Sequence, residues 1–425
     1  MAALRLQWIS NRVGLAVISC GLCGCQLIAG LTQERELATN MAGGGNASGG
    51  AAGASGGATP GGNGNSGGNS GEMADAGSAG DALTTAGGAG PLHAGGASAD
   101  AGSAAGDVGE GGSAGLVEDL TPRPSCEGDS LNECNGESCC RSLPVPGGPF
   151  GMGRSVDGAD AFAFGRDQES PEHSVTLSRF ALDKYEVTVA RMRRFVEAYS
   201  GSPPSSGTGS HPEIANSGWQ SIWNTRLPED RAALATRLKC NFTFQTWTDA
   251  AGSNELLPIN CVDWFVAYAF CIWDHARLPS EAEWEFAATG GAENRLYPWG
   301  SVVPTAAYAV FECSAGGGAA DCLSNDIRPV GSRQMLGNGR WGHADLAGSM
   351  LEHTRDAFFT DYYKQGPASG TNAVNLDTNL DAAGQSVVRG GSYLGDAPSL
   401  RAAARNNIYR STTADGVGLR CARDP

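Results

Sequence analysis

The chain has 425 residues, 63 of them glycine, which is too long and too glycine-rich for one ordinary globular domain, so part of it is expected to lack a core. Its 29 basic residues stand against 45 acidic ones, a formal charge of -16. That balance excludes nucleic acid and anionic membrane surfaces as partners, because both demand clustered Lys and Arg.

At the front, Arg5 and Arg12 come with an apolar run from Val13 to Gly24, too short to span a bilayer and suited to a secretory signal. The run ends in Leu22-Cys23-Gly24-Cys25, which resembles the bacterial lipobox. Residues 1–25 are therefore expected to be a signal peptide with Cys25 as the acylated residue, tethering the product to a membrane without spanning it. Cys20 and Cys23 are the other candidates, and a plain cleaved signal or an uncleaved anchor is the alternative. Gln26 is not Asp, so nothing argues for retention at the inner membrane, and the expected location is the cell envelope, at the outer membrane.

Residues 26–118 contain the run from Met41 to Gly115, almost wholly Gly, Ala, Ser and Asn. Such a composition offers too little apolar area to offset backbone entropy, and predicts a flexible tether. Its random-coil span is roughly 45 to 50 Å. No strict glycine period supports the alternative of a collagen-like fibre.

Residues 119–425 read as one large domain. Ten cysteines lie there: Cys126, Cys134, Cys139, Cys140, Cys240, Cys261, Cys271, Cys313, Cys322 and Cys421. An even number in an exported chain predicts disulfides. A metal site at Cys134 to Cys140 would lack a nearby His and a second CxxC. The first four cysteines allow three pairings, and Cys313 with Cys322 would close a small glycine-rich loop. Met192, Phe195, Val196 and Tyr199 share one face of a predicted helix capped by Thr188. A second helix is expected near Asp263, with Trp264, Tyr268 and Cys271 on one side. A third follows Pro279, where Ser280 and Glu283 stand at capping-box spacing. Short apolar runs broken by Gly, Asn and Pro predict short strands and long loops, an α+β fold stabilised by disulfides.

Seven blocks then follow one another in a specific order: "FGMGRS" at 150, "PEHSVTLSRFALDKYEVT" at 171, "LPINCVDWFVAYAFCIWDHARLPSEAEWEFAATGG" at 257, "YPWG" at 297, "DLAGSMLEHTRD" at 345, "VVRGGSY" at 387 and "GVGLRCAR" at 416. Together they resemble the formylglycine-generating enzyme (sulfatase-modifying factor) family. The resemblance implies an α+β fold related to C-type lectins, with little regular secondary structure. It also implies oxidation of a sulfatase cysteine by molecular oxygen, on a copper ion held by two cysteines after the Gly-Gly-Ser segment. Soft monovalent copper needs such thiolates. Here Gly395 stands at the first cysteine position and Asp396 to Leu400 is too short to hold the second, so no copper is expected.

Cys271 and Cys421 match a family disulfide, while a second family pair would need cysteines near Ala288 and Ala402, and both are absent. The family's calcium ligands map onto the side chains of Asp345 and Glu352 and the carbonyls of Gly348 and Met350, hard oxygens of the kind calcium takes. The alternative is that Asp345 and Glu352 cap loops or pair with arginines such as Arg389. His173, His343 and His353 show no ligand spacing, and Trp264, Trp284 and Trp299 read as core. Arg401, Arg405 and Arg420 either line the former substrate cleft or fix loops by bonding carbonyls. Two functions compete: a non-catalytic, lipid-anchored module binding a peptide, glycan or surface protein, and an oxidoreductase using another metal site or substrate.

Overall fold

The computed structural model describes residues 123–127, 133–157, 161–163, 165–314, 322–376 and 384–424. The signal peptide with Cys20, Cys23 and Cys25 and the tether of 26–118 lie outside the described residues. In chain order the strands are β1 (Glu133–Cys134), β2 (Glu137–Ser138), β3 (Ser142–Val145), β4 (Gly148–Met152), β5 (His173–Leu177), β6 (Phe180–Asp183), β7 (Leu351–Ala357), β8 (Gly370–Thr371), β9 (Gln385–Arg389), β10 (Arg405–Tyr409), β11 (Val417–Gly418) and β12 (Ala422–Arg423). The helices are α1 (Val189–Ala198), α2 (Arg231–Arg237), α3 (Trp264–Trp273), α4 (Glu281–Thr289) and α5 (Gln334–Gly337). No described helix is long and apolar enough to cross a membrane. The fold is α+β: a four-stranded sheet in the order β10-β9-β7-β11, two three-stranded sheets, β12-β6-β3 and β4-β5-β8, and the hairpin β1-β2.

Local side chains explain where the helices begin. The Thr188 hydroxyl accepts the Arg191 N–H, and the Asp263 carboxylate accepts the N–H groups of Phe265 and Val266. Ser280 and Glu283 close the reciprocal capping box at α4. Helix α3 departs from the one-sided expectation, because every residue from Trp264 to Cys271 is buried. It runs through the larger core cluster, where Trp223 meets Trp264 edge to face at 5.0 Å and Phe195 of α1 meets Phe270 at 5.7 Å. A helix buried all round cannot show an amphipathic period.

Helix α4 carries three buried glutamates, each facing an arginine from elsewhere. Glu281 takes Arg405 through two bonds of 2.6 and 2.8 Å, Glu283 takes Arg277 through two of 2.7 Å, and Glu285 takes Arg389. These charges are tolerated inside because each is paired and hydrogen-bonded. Trp284, between them, sits in the second core cluster with Phe150, Val175 and Phe286.

All ten cysteines of the domain are joined: Cys126 to Cys140, Cys134 to Cys139, Cys240 to Cys261, Cys271 to Cys421 and Cys313 to Cys322. The bridge from α3 to the residue before β12 closes a loop of 150 residues. In the chain-entropy model it destabilises the unfolded chain by about 5 kcal/mol.

Candidate functional site

Strand β9 ends at Arg389, and the chain then turns through Gly390 and Gly391, with φ of 100° and 73°. A side chain at Gly391 would meet Leu400 Cδ2 and the Ser399 carbonyl oxygen at 3.0 Å, so the turn is tight as well as left-handed. The segment is then stitched down on two sides. The Tyr393 N–H donates to the Ser349 carbonyl at 2.8 Å, while the N–H groups of Glu312 and Cys313 donate to the carbonyls of Gly395 and Tyr393 at 2.9 and 2.7 Å. The Cys313–Cys322 bridge, distant along the chain, therefore lies beside Gly395, which its sequence separation concealed. Both cysteines are joined to each other.

A cysteine at Gly395 would require Ser399 to move. A Cβ there would lie 2.6 Å from Ser399 Oγ and 3.3 Å from the Ser392 carbonyl oxygen. Ser399 Oγ is itself engaged, donating to the Asp396 carbonyl at 2.6 Å, and the Asp396 side chain accepts the Ser399 N–H. Asp396 to Leu400 forms one capped 3-10 turn, Ala397–Leu400.

Tyr393, two residues before Gly395, feels the charges of Asp326 and Asp415, residues that sequence reasoning did not single out. Tyr393 is fully buried and its hydroxyl has no hydrogen-bond partner among the described residues. Burial, and then the charges of Asp415 and Asp326, push the phenol above its ordinary range. Asp415 is placed by the Asn241 side chain, which donates to Oδ2 at 2.5 Å, and by Asn260, whose amide donates to the carbonyls of both Asp415 and Phe244 at 2.7 and 2.8 Å. The Phe244 ring lies 6.2 Å from that of Tyr393. Asp326 accepts the Leu323 N–H at 2.7 Å, and its neighbour Ile327 packs with Tyr393 and Cys313.

Of the calcium candidates, Asp345, Gly348 and Met350 lie in the turn before β7 and Glu352 is the second residue of that strand. Asp345, Gly348 and Ser349 all have positive φ, 57°, 79° and 61°. Asp345 Oδ2 accepts the Gly331 N–H at 2.5 Å. Both oxygens of Glu352 are taken by Arg420, at 2.6 and 2.7 Å, and one also accepts the Trp284 indole N–H. Sequence reasoning missed Glu186, which accepts the Ser349 hydroxyl and the Met350 N–H at 2.8 Å each. Burial, with the charges of Asp345 and Glu352, pushes Glu186 well above the usual carboxylate range, and burial pushes Asp345 up to about 6. A glutamate within the buried run from Tyr185 to Val187 was the available signal. Among the described residues no group of three His, Cys, Asp or Glu is placed to hold a metal.

Other expectations need correction. Of the two readings of Arg401, Arg405 and Arg420, the loop-fixing one holds and the cleft-lining one does not: each is buried, bonds backbone carbonyls and also forks onto a glutamate, Glu169, Glu281 and Glu352 respectively. Arg389 pairs with Glu285, so the cation facing Glu352 is Arg420. Trp299 is half-buried, stacked on Tyr297 at 5.3 Å and tilted against Tyr308 at 5.2 Å, whereas Trp264 and Trp284 are core.

The formylglycine-generating enzyme of Streptomyces coelicolor is 28% identical over 326 residues, covering 71% of this chain and 95% of that protein. A protein of Bos taurus named inactive C-alpha-formylglycine-generating enzyme 2 is also 28% identical, over 321 residues, covering 71% of this chain and 94% of its own length. The solved structure of PvdO from Pseudomonas aeruginosa overlays with a TM-score of 0.46 at 22% identity, covering 68% of this chain and 95% of that one. The model of the sulfatase-modifying factor enzyme 1-like domain matches residues 129–425, and the chain belongs to that family.

Proposed function

We propose that this chain is a non-catalytic member of its family: an exported, lipid-anchored module that holds the domain on a long tether and binds a peptide, glycan or neighbouring surface protein. The observation that carries this reading is Gly395, where the family needs a thiolate and a Cβ would lie 2.6 Å from Ser399 Oγ. The ten disulfide-bonded cysteines leave no thiol within 119–425 to stand in. That one relative carries the word inactive in its name fits the same reading.

Calcium fits this module better than copper does. Glu186, Asp345 and Glu352 are buried together, with Arg420 and Arg333 as the cations acting on them, so the carboxylates outnumber the facing cations and two of them are held above their ordinary range. A divalent ion taking Asp345 and the carbonyls of Gly348 and Met350 would offset that excess with hard oxygen ligands. Glu352, whose two oxygens are held by Arg420 and the Trp284 indole, would add negative charge near that ion.

Elemental analysis of the purified chain tests the reading. Calcium without stoichiometric copper or iron is expected. One copper or iron per chain would favour the competing reading, an oxidoreductase on another metal site. The anchor is tested separately: a fatty-acid label given to growing cells should mark the wild-type chain and not Cys25→Ser. Label retained by that variant would move the anchor to Cys20 or Cys23, and an unlabelled wild type would end the lipoprotein reading.

A further inference from the structure

Helix α1, helix α2 and the loop from Trp247 to Ala251 border an open cleft of about 570 Å³, within the size range of small-ligand pockets. All of its lining residues lie between Arg193 and Ala251, so it shares none with the Gly-Gly-Ser turn. The floor is apolar: Val196 and Trp247 belong to the larger core cluster, and Ala235 packs against it. The walls are fixed before any ligand arrives. Arg193 forks onto Glu255 at 2.7 and 3.0 Å, donates to the Thr248 carbonyl at 2.9 Å and covers the Trp247 ring at 4.6 Å, which ties the loop to α1. The Tyr199 hydroxyl donates to the Pro228 carbonyl at 2.7 Å and ties the approach to α2 to the end of α1. Walls held in this way lose little freedom on binding.

The rim is polar and exposed. Asp230 caps α2 with Oδ1, which accepts the Ala233 N–H at 2.8 Å, and keeps Oδ2 for another donor. Glu197 has Arg194 at 3.6 Å, a surface pair of little worth, and Asp249 has Lys239 at 2.6 Å. Arg231 forms no hydrogen bond or ion pair with a described residue. Counted with their partners, the carboxylates of Glu197, Asp230, Asp249 and Glu255 balance the cations of Arg193, Arg194, Arg231 and Lys239, so the cleft offers no net countercharge. A carboxylate only accepts and a guanidinium only donates, and the ligand group that serves both is a hydroxyl.

We propose that this cleft is a binding site for a neutral saccharide, whose hydroxyls bond Asp230, Glu197 and Arg231 and whose C–H face lies over Val196 and Ala235. A sugar ring joins the two properties that the cleft asks for together, an apolar face of ring carbons and a margin of groups that both donate and accept. An acidic sugar gains nothing from a rim without net charge, and a wholly apolar ligand would strip water from the rim groups and return no hydrogen bond. This inference rests on the binding-module reading and selects a glycan as its ligand.

The test uses the purified full chain and saturation-transfer NMR with lactose, maltotriose, mannotriose and triacetylchitotriose at millimolar concentration. At least one of these neutral saccharides is expected to bind, and sialyllactose, which adds a carboxylate, should bind no better than lactose. Arg231→Ala should weaken the saccharide that binds at least about tenfold, the loss of one hydrogen bond to a charged group. Ala232→Trp, which places a large ring in the cleft, should abolish binding. Both positions are exposed, and the melting temperature of Arg231→Ala should match that of the wild type. Failure of all four saccharides to bind, an affinity unchanged in Arg231→Ala, binding that survives Ala232→Trp, or capture of sialyllactose but not lactose would overturn the site. These failures leave the non-catalytic reading standing with a peptide or surface protein as its ligand. Copper-dependent aldehyde formation by the chain would sink that reading and leave saccharide binding measurable.

Discussion

Given copper, oxygen and a sulfatase peptide bearing the cysteine motif, the purified chain is expected to yield no aldehyde detectable by mass spectrometry above a copper-only control. The reaction begins with a soft metal gripped by two thiolates, and the segment from Arg389 to Arg405 contains no cysteine. Gly395→Cys is expected to yield none either. Its Cβ would collide with Ser399 Oγ, which is tied to the Asp396 carbonyl, and relief of that contact would still leave only one ligand. Cys313 and Cys322 lie close by, yet their sulfurs are bonded to each other. Aldehyde formed by the unmodified chain would show that an unrecognised ligand set operates. Aldehyde formed only by the variant would show that the second ligand is supplied from elsewhere in the cleft.

The parts of this molecule that could be read from its sequence are those whose physics is local. Thr188, Asp263 and the Ser280–Glu283 pair announce helix starts because a cap acts within three residues. What could not be read depends on residues brought together across the chain. Arg420 reaches Glu352 over 68 positions and Arg401 reaches Glu169 over 232, so an arginine that looked like a cleft residue proves to be an internal strut. Cys313 looked remote from Gly395, but two backbone hydrogen bonds join their segments. Glu186 was hidden for a related reason: its hydrogen-bond partners, Ser349 and Met350, lie 163 and 164 positions away. The trace such sites leave is a charged residue inside a buried run, as at Asp183 and Glu186 on either side of Lys184 and Tyr185.

Asp183→Ala is expected to cost about 3–5 kcal/mol of unfolding free energy, enough to threaten folding. The side chain is fully buried at the end of β6 and sits among three arginines. Arg191 reaches it at 3.0 Å, Arg123 at 3.8 Å, and Arg423 also donates to it. Arg191 and Arg423 continue to Asp274 at 2.7 and 2.9 Å. Without Asp183, Arg191 and Arg423 share the Asp274 carboxylate, and buried positive charge loses compensation. Ser142→Ala, which removes only the 2.7 Å hydroxyl bond to Asp183, is the control and should cost about 1 kcal/mol. Acid adds a second signature. Burial opposes ionisation of Asp183, but the charges of Arg423, Arg191 and Arg123 outweigh it and hold the group below its ordinary value of 3.8. The native chain then binds fewer protons there than the unfolded one, so this stabilisation is complete above 3.8 and is lost as the pH falls below it. In that range the wild type should lose up to about 1.4 kcal/mol per pH unit more than Asp183→Ala does, as read from urea unfolding at successive pH values. Parallel curves for the two proteins, or a loss under about 1 kcal/mol in Asp183→Ala at neutral pH, would show that the arginine cluster stands without its central anion.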